Sequence, residues 1–161
     1  MRFPVIPIAV LLVAAISCTG GPAHAYGLSG IGASVGYTSP EDLDGALSIG
    51  GHLEFEQAGS RLHFVPGMRF WKVNGVSDVD VNADALYHFD PTGSVSPYAG
   101  AGLGLQFAHS DAGGDDTSLG PNLFGGVRFP ASFGHSFIEA RFGFAKISQF
   151  SVLGGLTWNL H

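Results

Sequence analysis

Val79–Phe89 reads Val-Asp-Val-Asn-Ala-Asp-Ala-Leu-Tyr-His-Phe. Val79, Val81, Ala83, Ala85, Tyr87 and Phe89 fall on the odd positions, and Asp80, Asn82, Asp84 and His88 on the even ones. A period of two sends the two sets to opposite faces of a β-strand and scatters them around a helix. The same alternation runs through Ile31–Tyr37, Leu47–Phe55, Leu62–Phe70, Ala99–Phe107, Leu119–Phe129, Ile138–Phe144 and Phe150–Leu160. That makes eight strands. The connections, 38–45, 57–60, 74–78, 90–96, 110–118, 130–136 and 147–149, collect Gly, Pro, Asp, Asn and Ser. None is long enough for a parallel crossover, so the sheet is expected to be antiparallel with sequence neighbours paired. An even number of strands in up-and-down order lets the first close on the last. Pro66 sits inside the third strand and cannot donate a ladder bond, so a bulge or local break is expected there.

Composition supports this. The 161 residues include 25 Gly and 13 Phe, and charged residues make up 12 %, about half the roughly 25 % of an ordinary soluble domain. Disorder is incompatible with 45 % hydrophobic content and so little charge. The glycine content argues against a helical bundle, at about 1 kcal/mol per helical site. Thirteen acidic residues against seven Lys and Arg argue against nucleic-acid binding.

Residues 1–25 read as a secretory signal peptide. Arg2 precedes an apolar run from Val5 to Ile16, and Ala23-His24-Ala25 offers small residues for cleavage after Ala25. The run is too short to span a bilayer as a helix. A looser alternative, Ala15-Ile16-Ser17-Cys18, resembles a lipoprotein box with Cys18 as the acylated residue. Cleavage after Ala25 leaves a barrel domain, 26–161, without cysteine.

The second face decides the function class. It carries Glu54, Arg69, Asp80, Asp84, Arg128, Glu139 and Arg141, with His52, His63 and His88, amid much glycine. Few charges of nearly balanced sign suit the crowded lumen of a small barrel, with the long apolar face toward lipid. Strand lengths match the 9–11 residues of a membrane-crossing strand. If strand one starts in the periplasm, Phe55, Tyr87, Phe89, Phe129 and Trp158 form one aromatic girdle. Tyr37, Phe70, Phe107, Phe144 and Phe150 then form the other. Within the lumen each arginine is expected to have a carboxylate partner, with Glu54 favoured for Arg141. An arginine at Leu103 is expected to be costly, and Gly102→Ser far cheaper unless crowding inside the lumen dominates.

Ser96–Gln106 (SPYAGAGLGLQ), Pro121–Phe129 (PNLFGGVRF) and Phe150–Leu160 (FSVLGGLTWNL) carry a likeness to a known family. Over residues 26–161 the chain resembles the small outer-membrane β-barrels, of the opacity-porin and outer-membrane protein A transmembrane-domain type. The resemblance implies an all-β, eight-stranded, closed transmembrane barrel with a side-chain-filled lumen, in the outer membrane of a Gram-negative bacterium. Both termini would be periplasmic. Implied partners are outer-membrane lipid, lipopolysaccharide and the outer-membrane assembly machinery, with the chain a monomer. The family ends in an aromatic residue, whereas this chain ends Trp158-Asn159-Leu160-His161.

No catalytic or cofactor motif stands out. Relatives that cleave lipid A pair His and Ser one residue apart near a strand end. Here His109-Ser110 and His135-Ser136 are adjacent, so the two members point to opposite faces. Asp111, Asp115 and Asp116, with Glu41, Asp42 and Asp44, form an acidic rim with the chemistry to hold Ca²⁺ or Mg²⁺ and the look of solvated loops. No zinc spacing is present. The sequence thus points to a non-enzymatic outer-membrane barrel without cofactor, in a structural, adhesive or narrow-conductance role. The alternatives are a soluble exported barrel binding a small hydrophobic ligand, and a membrane-embedded lipid A hydrolase.

Overall fold

A computed structural model describes residues 26–160. The expected signal peptide, with Cys18 and the cleavage point after Ala25, lies outside the described residues. Eight strands follow one another: β1 (Gly27–Pro40), β2 (Ala46–Glu56), β3 (Leu62–Val73), β4 (Val76–His88), β5 (Ser96–Ser110), β6 (Gly114–Ala131), β7 (Gly134–Gly143) and β8 (Gln149–Asn159). Every neighbouring pair is antiparallel, and β1 pairs with β8 to close the barrel. Closure leaves no unpaired edge. The start of β1 and the end of β8 share one rim, called here the near end. The β1–β2, β3–β4, β5–β6 and β7–β8 connections form the far end.

The strands run longer than their apolar alternation. The expected connection 110–118 contracts to Asp111–Gly113, and Asp115 and Asp116 lie on β6, paired with His109 and Ala108. A hairpin can keep its ladder in water, where neither face must be apolar, so alternation under-reads its length. Conversely, Phe89 and Phe144 stand one residue past β4 and β7. The Asn74–Gly75 turn is tight, with both residues at positive φ, as two-residue hairpins of right-handed twist require.

Pro66 produces a break and not a bulge. On the β4 side it pairs with Ala83 in an unbroken ladder. On the β2 side pairing stops at His52↔Gly67 and resumes at Phe55↔Phe64 in the same register. The one irregular register lies elsewhere, at Ser29 between β1 and β2.

The glycines sit where the bore needs room. Gly32 pairs with His52, Gly100 with Phe124, Gly126 with Tyr98, and Gly155 with Phe137. In each pair a Cβ on the glycine would strike the partner's side chain. Gly102 faces Asp84 in the same way, and its added Cβ would overlap the Asp84 carboxylate and the Ala83 carbonyl. Crowding, the one exception to a cheap Gly102→Ser, therefore applies here. Outward glycines within the wall have room: a Cβ at Gly51 meets nothing closer than 3.6 Å and one at Gly154 nothing closer than 3.9 Å. Gly102→Ala is expected to destabilise the barrel by about 1–3 kcal/mol, as overpacking does, and Gly154→Ala to be near neutral. Urea unfolding in detergent compares them directly.

Candidate functional site

The alternation places two contrasting surfaces on the two sides of one wall. Outside, Val35, Leu47, Ile49, Met68, Leu103, Leu119, Leu123 and Ile138 are all exposed. Lys72, His109 and Asp115 are the acidic or basic outward residues of the described strands. All three stand at the far end, beyond Phe70 and Phe107. Between the rims the outer wall carries no charge. Phe55, Tyr87, Phe89, Phe129 and Trp158 lie around the near rim, and Tyr37, Phe70, Phe107, Phe144 and Phe150 around the far one. Phe142 stacks on Phe150 with centroids 4.6 Å apart. Phe133, in the β6–β7 turn, lies 6.0 Å from Trp158. The turn position of Phe133 hid it from a reading based on strand alternation.

Inside, polar and charged groups are buried in three zones. Toward the far end, Arg69 donates to Asp80 at 3.0 Å, and Gln149 donates to the same carboxylate oxygen at 2.5 Å. Gln149 also accepts from Trp71 Nε1 at 2.8 Å. Asp78, fully buried, accepts from Gln106 at 3.3 Å. The sequence reading placed Asp78 in a turn, although the even-position pattern of β4 continues through it. Trp71 was likewise unassigned, because it is a large apolar residue on the polar face.

In the middle, Arg141 donates from Nη1 to Asp84 at 2.7 Å and from Nε to Glu139 at 2.9 Å. Its guanidinium carbon lies 4.2 Å from the Phe124 ring centroid. Leu86, Tyr98, Phe124 and Phe137 pack together beside it as an apolar plug. A cavity of about 70 Å³ lies among Ser34, His52, Arg69, Asp84, Phe137 and Arg141, room for only a few waters.

At the near end, Glu54 receives Arg128 Nη1 at 2.7 Å and His63 Nδ1 at 2.5 Å. His88 packs edge-on against His63, with centroids 4.4 Å apart. His135 Nε2 lies 3.6 Å from Glu54 Oε2. Glu54 therefore belongs to Arg128, and the expected preference of Arg141 for Glu54 is corrected. Asp84 reaches Arg141 across the bore, and Glu139 sits two residues away on the same face of β7. His135 joins this zone from an expected turn.

The outer rim differs from its reading as loops. His109 Nδ1 bonds Asp115, its cross-strand partner on the outward face. Ser77 is the partner of His109 on the other side, on β4. Neither His109 nor His135 bonds the serine next to it in sequence among the described residues. Lys146, in the β7–β8 connection, pairs with Asp116.

A lumen arginine stripped of one partner leaves an uncompensated buried charge. Arg141→Met is expected to destabilise the barrel by about 3–5 kcal/mol. In a double-mutant cycle read by urea unfolding, Arg141→Met and Asp84→Asn are expected to couple by about 0.5–3 kcal/mol, and Arg141→Met and Glu54→Gln to add.

No protein-family model matches the chain, and no curated protein matches its sequence. Solved structures do. Neisserial surface protein A superposes with a TM-score of 0.67 at 20 % identity, covering 82 % of this chain and 96 % of that one. Ail, the attachment invasion locus protein of Yersinia pestis, gives 0.54 at 13 % identity over 83 % and 97 %. The outer membrane enzyme PagL gives 0.50 at 15 % identity over 79 % and 98 %. At these identities the likeness establishes architecture: the chain has the closed eight-stranded antiparallel fold of small outer-membrane β-barrels.

Proposed function

We propose that the protein is an integral outer-membrane β-barrel whose role is structural or adhesive and whose lumen does not conduct. The uncharged apolar wall between two aromatic rims carries this reading. Such a wall in water would expose an apolar surface far above the few hundred Å² tolerated by soluble monomers, whereas in a bilayer it meets hydrocarbon. The inverted arrangement, polar within and apolar without, argues against a soluble barrel with a hydrophobic ligand inside. The plug of Leu86, Phe124 and Phe137 and the saturated Arg141 site argue against ion passage. Lipid and lipopolysaccharide at the rims, assembly by the outer-membrane machinery, a monomeric state and periplasmic termini complete the proposal.

A second reading, ester hydrolysis at the far rim, is favoured by one observation. Ser77, His109 and Asp115 are successive register partners across β4, β5 and β6 on the outward face. Asp115 holds Nδ1 and so directs Nε2 away as a base, the order of roles in a nucleophile triad. Against it, Ser77 is not hydrogen-bonded to His109, and Asp111 lies 3.7 Å from His109 Nε2.

Fractionation tests the first reading. The protein is expected to stay with membranes through a carbonate wash and to migrate differently on gels before and after heating. Recovery in the soluble periplasmic extract would refute it. Leu103→Arg, on the outer wall, is expected to cost about 2–4 kcal/mol of folding stability in bilayers, and planar-bilayer recording is expected to show no steady current. If lipid A from expressing cells loses mass with the wild type and not with Ser77→Ala, the hydrolytic reading stands instead.

A further inference from the structure

The near end of the lumen gathers more imidazoles than its ion pairs use. Glu54 on β2, His63 on β3 and His88 on β4 each offer a ligand atom, and these atoms lie within 4.8 Å of one another. His135, on β7, approaches the same carboxylate from the opposite wall. Four buried polar atoms here have no hydrogen-bond partner: Arg128 Nε, and three of metal-ligating type, Glu54 Oε2, His88 Nε2 and His135 Nε2. Buried polar atoms are normally satisfied, and each exception calls for an explanation.

We propose that this cluster is a divalent transition-metal site of the Zn²⁺ class, bound by Glu54, His63 and His88 with His135 as a fourth ligand. The donor set selects the ion. Imidazole nitrogens with one carboxylate suit Zn²⁺, Co²⁺, Ni²⁺ and Cu²⁺, whereas Ca²⁺ and Mg²⁺ take oxygen ligands. The spacing fits as well. Ligands about 2.0–2.2 Å from a tetrahedral ion stand about 3.3 Å apart, and Glu54 Oε2 and His135 Nε2 stand 3.6 Å apart. That separation is too long for a hydrogen bond. His63 would exchange its bond to Glu54 for the ion as the tautomer that carries its ring proton on Nε2, the nitrogen that faces Glu56.

The surroundings supply what such a site needs. Arg128 Nη1 grips Glu54 Oε1 at 2.7 Å and leaves Oε2 facing the imidazoles. An outer partner of that kind orients a ligating carboxylate. Glu54 and Glu56 against the single Arg128 leave the cluster net negative, and Glu56 Oε2 lies 3.7 Å from His63 Nε2, half-exposed at the rim. It marks the entry path. His52 is not a ligand: its Nε2 is engaged by Thr157 Oγ1 at 3.0 Å. The bound ion would tie β2, β3, β4 and β7 together across the bore, in a barrel without cysteine among its described residues.

The test uses the purified protein folded in detergent, freed of metal by a chelator and titrated with Co²⁺. One equivalent is expected to bind with the visible absorption of a four- or five-coordinate ion and to be displaced by Zn²⁺. His88→Ala and His135→Ala are each expected to weaken Zn²⁺ binding by at least about tenfold, the loss that follows even removal of an outer-shell partner. Heat-shifted gel migration verifies that each variant folds, and Glu54→Gln, which keeps the side chain's shape, serves where an alanine variant does not. His109→Ala, at the other end, is expected to leave affinity unchanged. Absence of saturable binding by the wild type would overturn the proposal. So would unchanged affinity in a folded His88→Ala/His135→Ala variant, or loss of binding in His109→Ala alone.

Discussion

The bore of a closed eight-stranded barrel is only wide enough for side chains to fill it, and this barrel makes room for four of its lumen rings by setting each against a glycine. His52 lies over Gly32, Phe124 over Gly100, Phe137 over Gly155 and Tyr98 over Gly126. The arrangement depends on register, because each ring needs a missing side chain directly opposite. A shift of one residue would drive four rings into the wall and turn the charged face into lipid or water. Much of the glycine content is therefore a packing device, alongside the glycines that turns such as Asn74–Gly75 require.

That packing makes the charge network possible. With the middle of the lumen closed by Leu86, Phe124 and Phe137, Arg141 is cut off from bulk water and must find both of its acceptors within the wall. Asp84 and Glu139 provide them, and the Phe124 ring covers the guanidinium face. Arg128 and Arg69 repeat the scheme at the two ends, with Glu54 and Asp80. Buried ion pairs of this kind add little net stability, but breaking one is expensive. They hold the strands in one relative arrangement and reject others.

The near end departs from this economy. Its arginine is matched by one carboxylate, yet four imidazoles crowd around them, from β2, β3, β4 and β7. Two of these, His88 and His135, keep a buried nitrogen without a partner. Partnerless buried atoms occur elsewhere too, at Arg69 Nε, Asp78 Oδ1 and Asp84 Oδ1, but among the described residues only the near end gathers them on imidazoles beside a carboxylate, which is what a bound cation would explain.

Strand number, antiparallel order and the division into two faces were legible in the sequence, because backbone geometry alone makes side chains alternate and short connections make neighbours pair. The uncharged outer wall was equally legible, being a list of residue types at alternate positions. Strand ends were not. Hairpins extend into water where no apolar period marks them, so Asp115 and Asp116 read as loop. Partnerships across the bore were also hidden. Arg141 meets Asp84 and Arg128 meets Glu54 because of barrel closure and stagger, which depend on all eight registers together. The same holds for Ser77 beside His109, and for His135 beside Glu54. Alternation tells a residue which side of the wall it occupies; only the closed barrel decides what stands opposite.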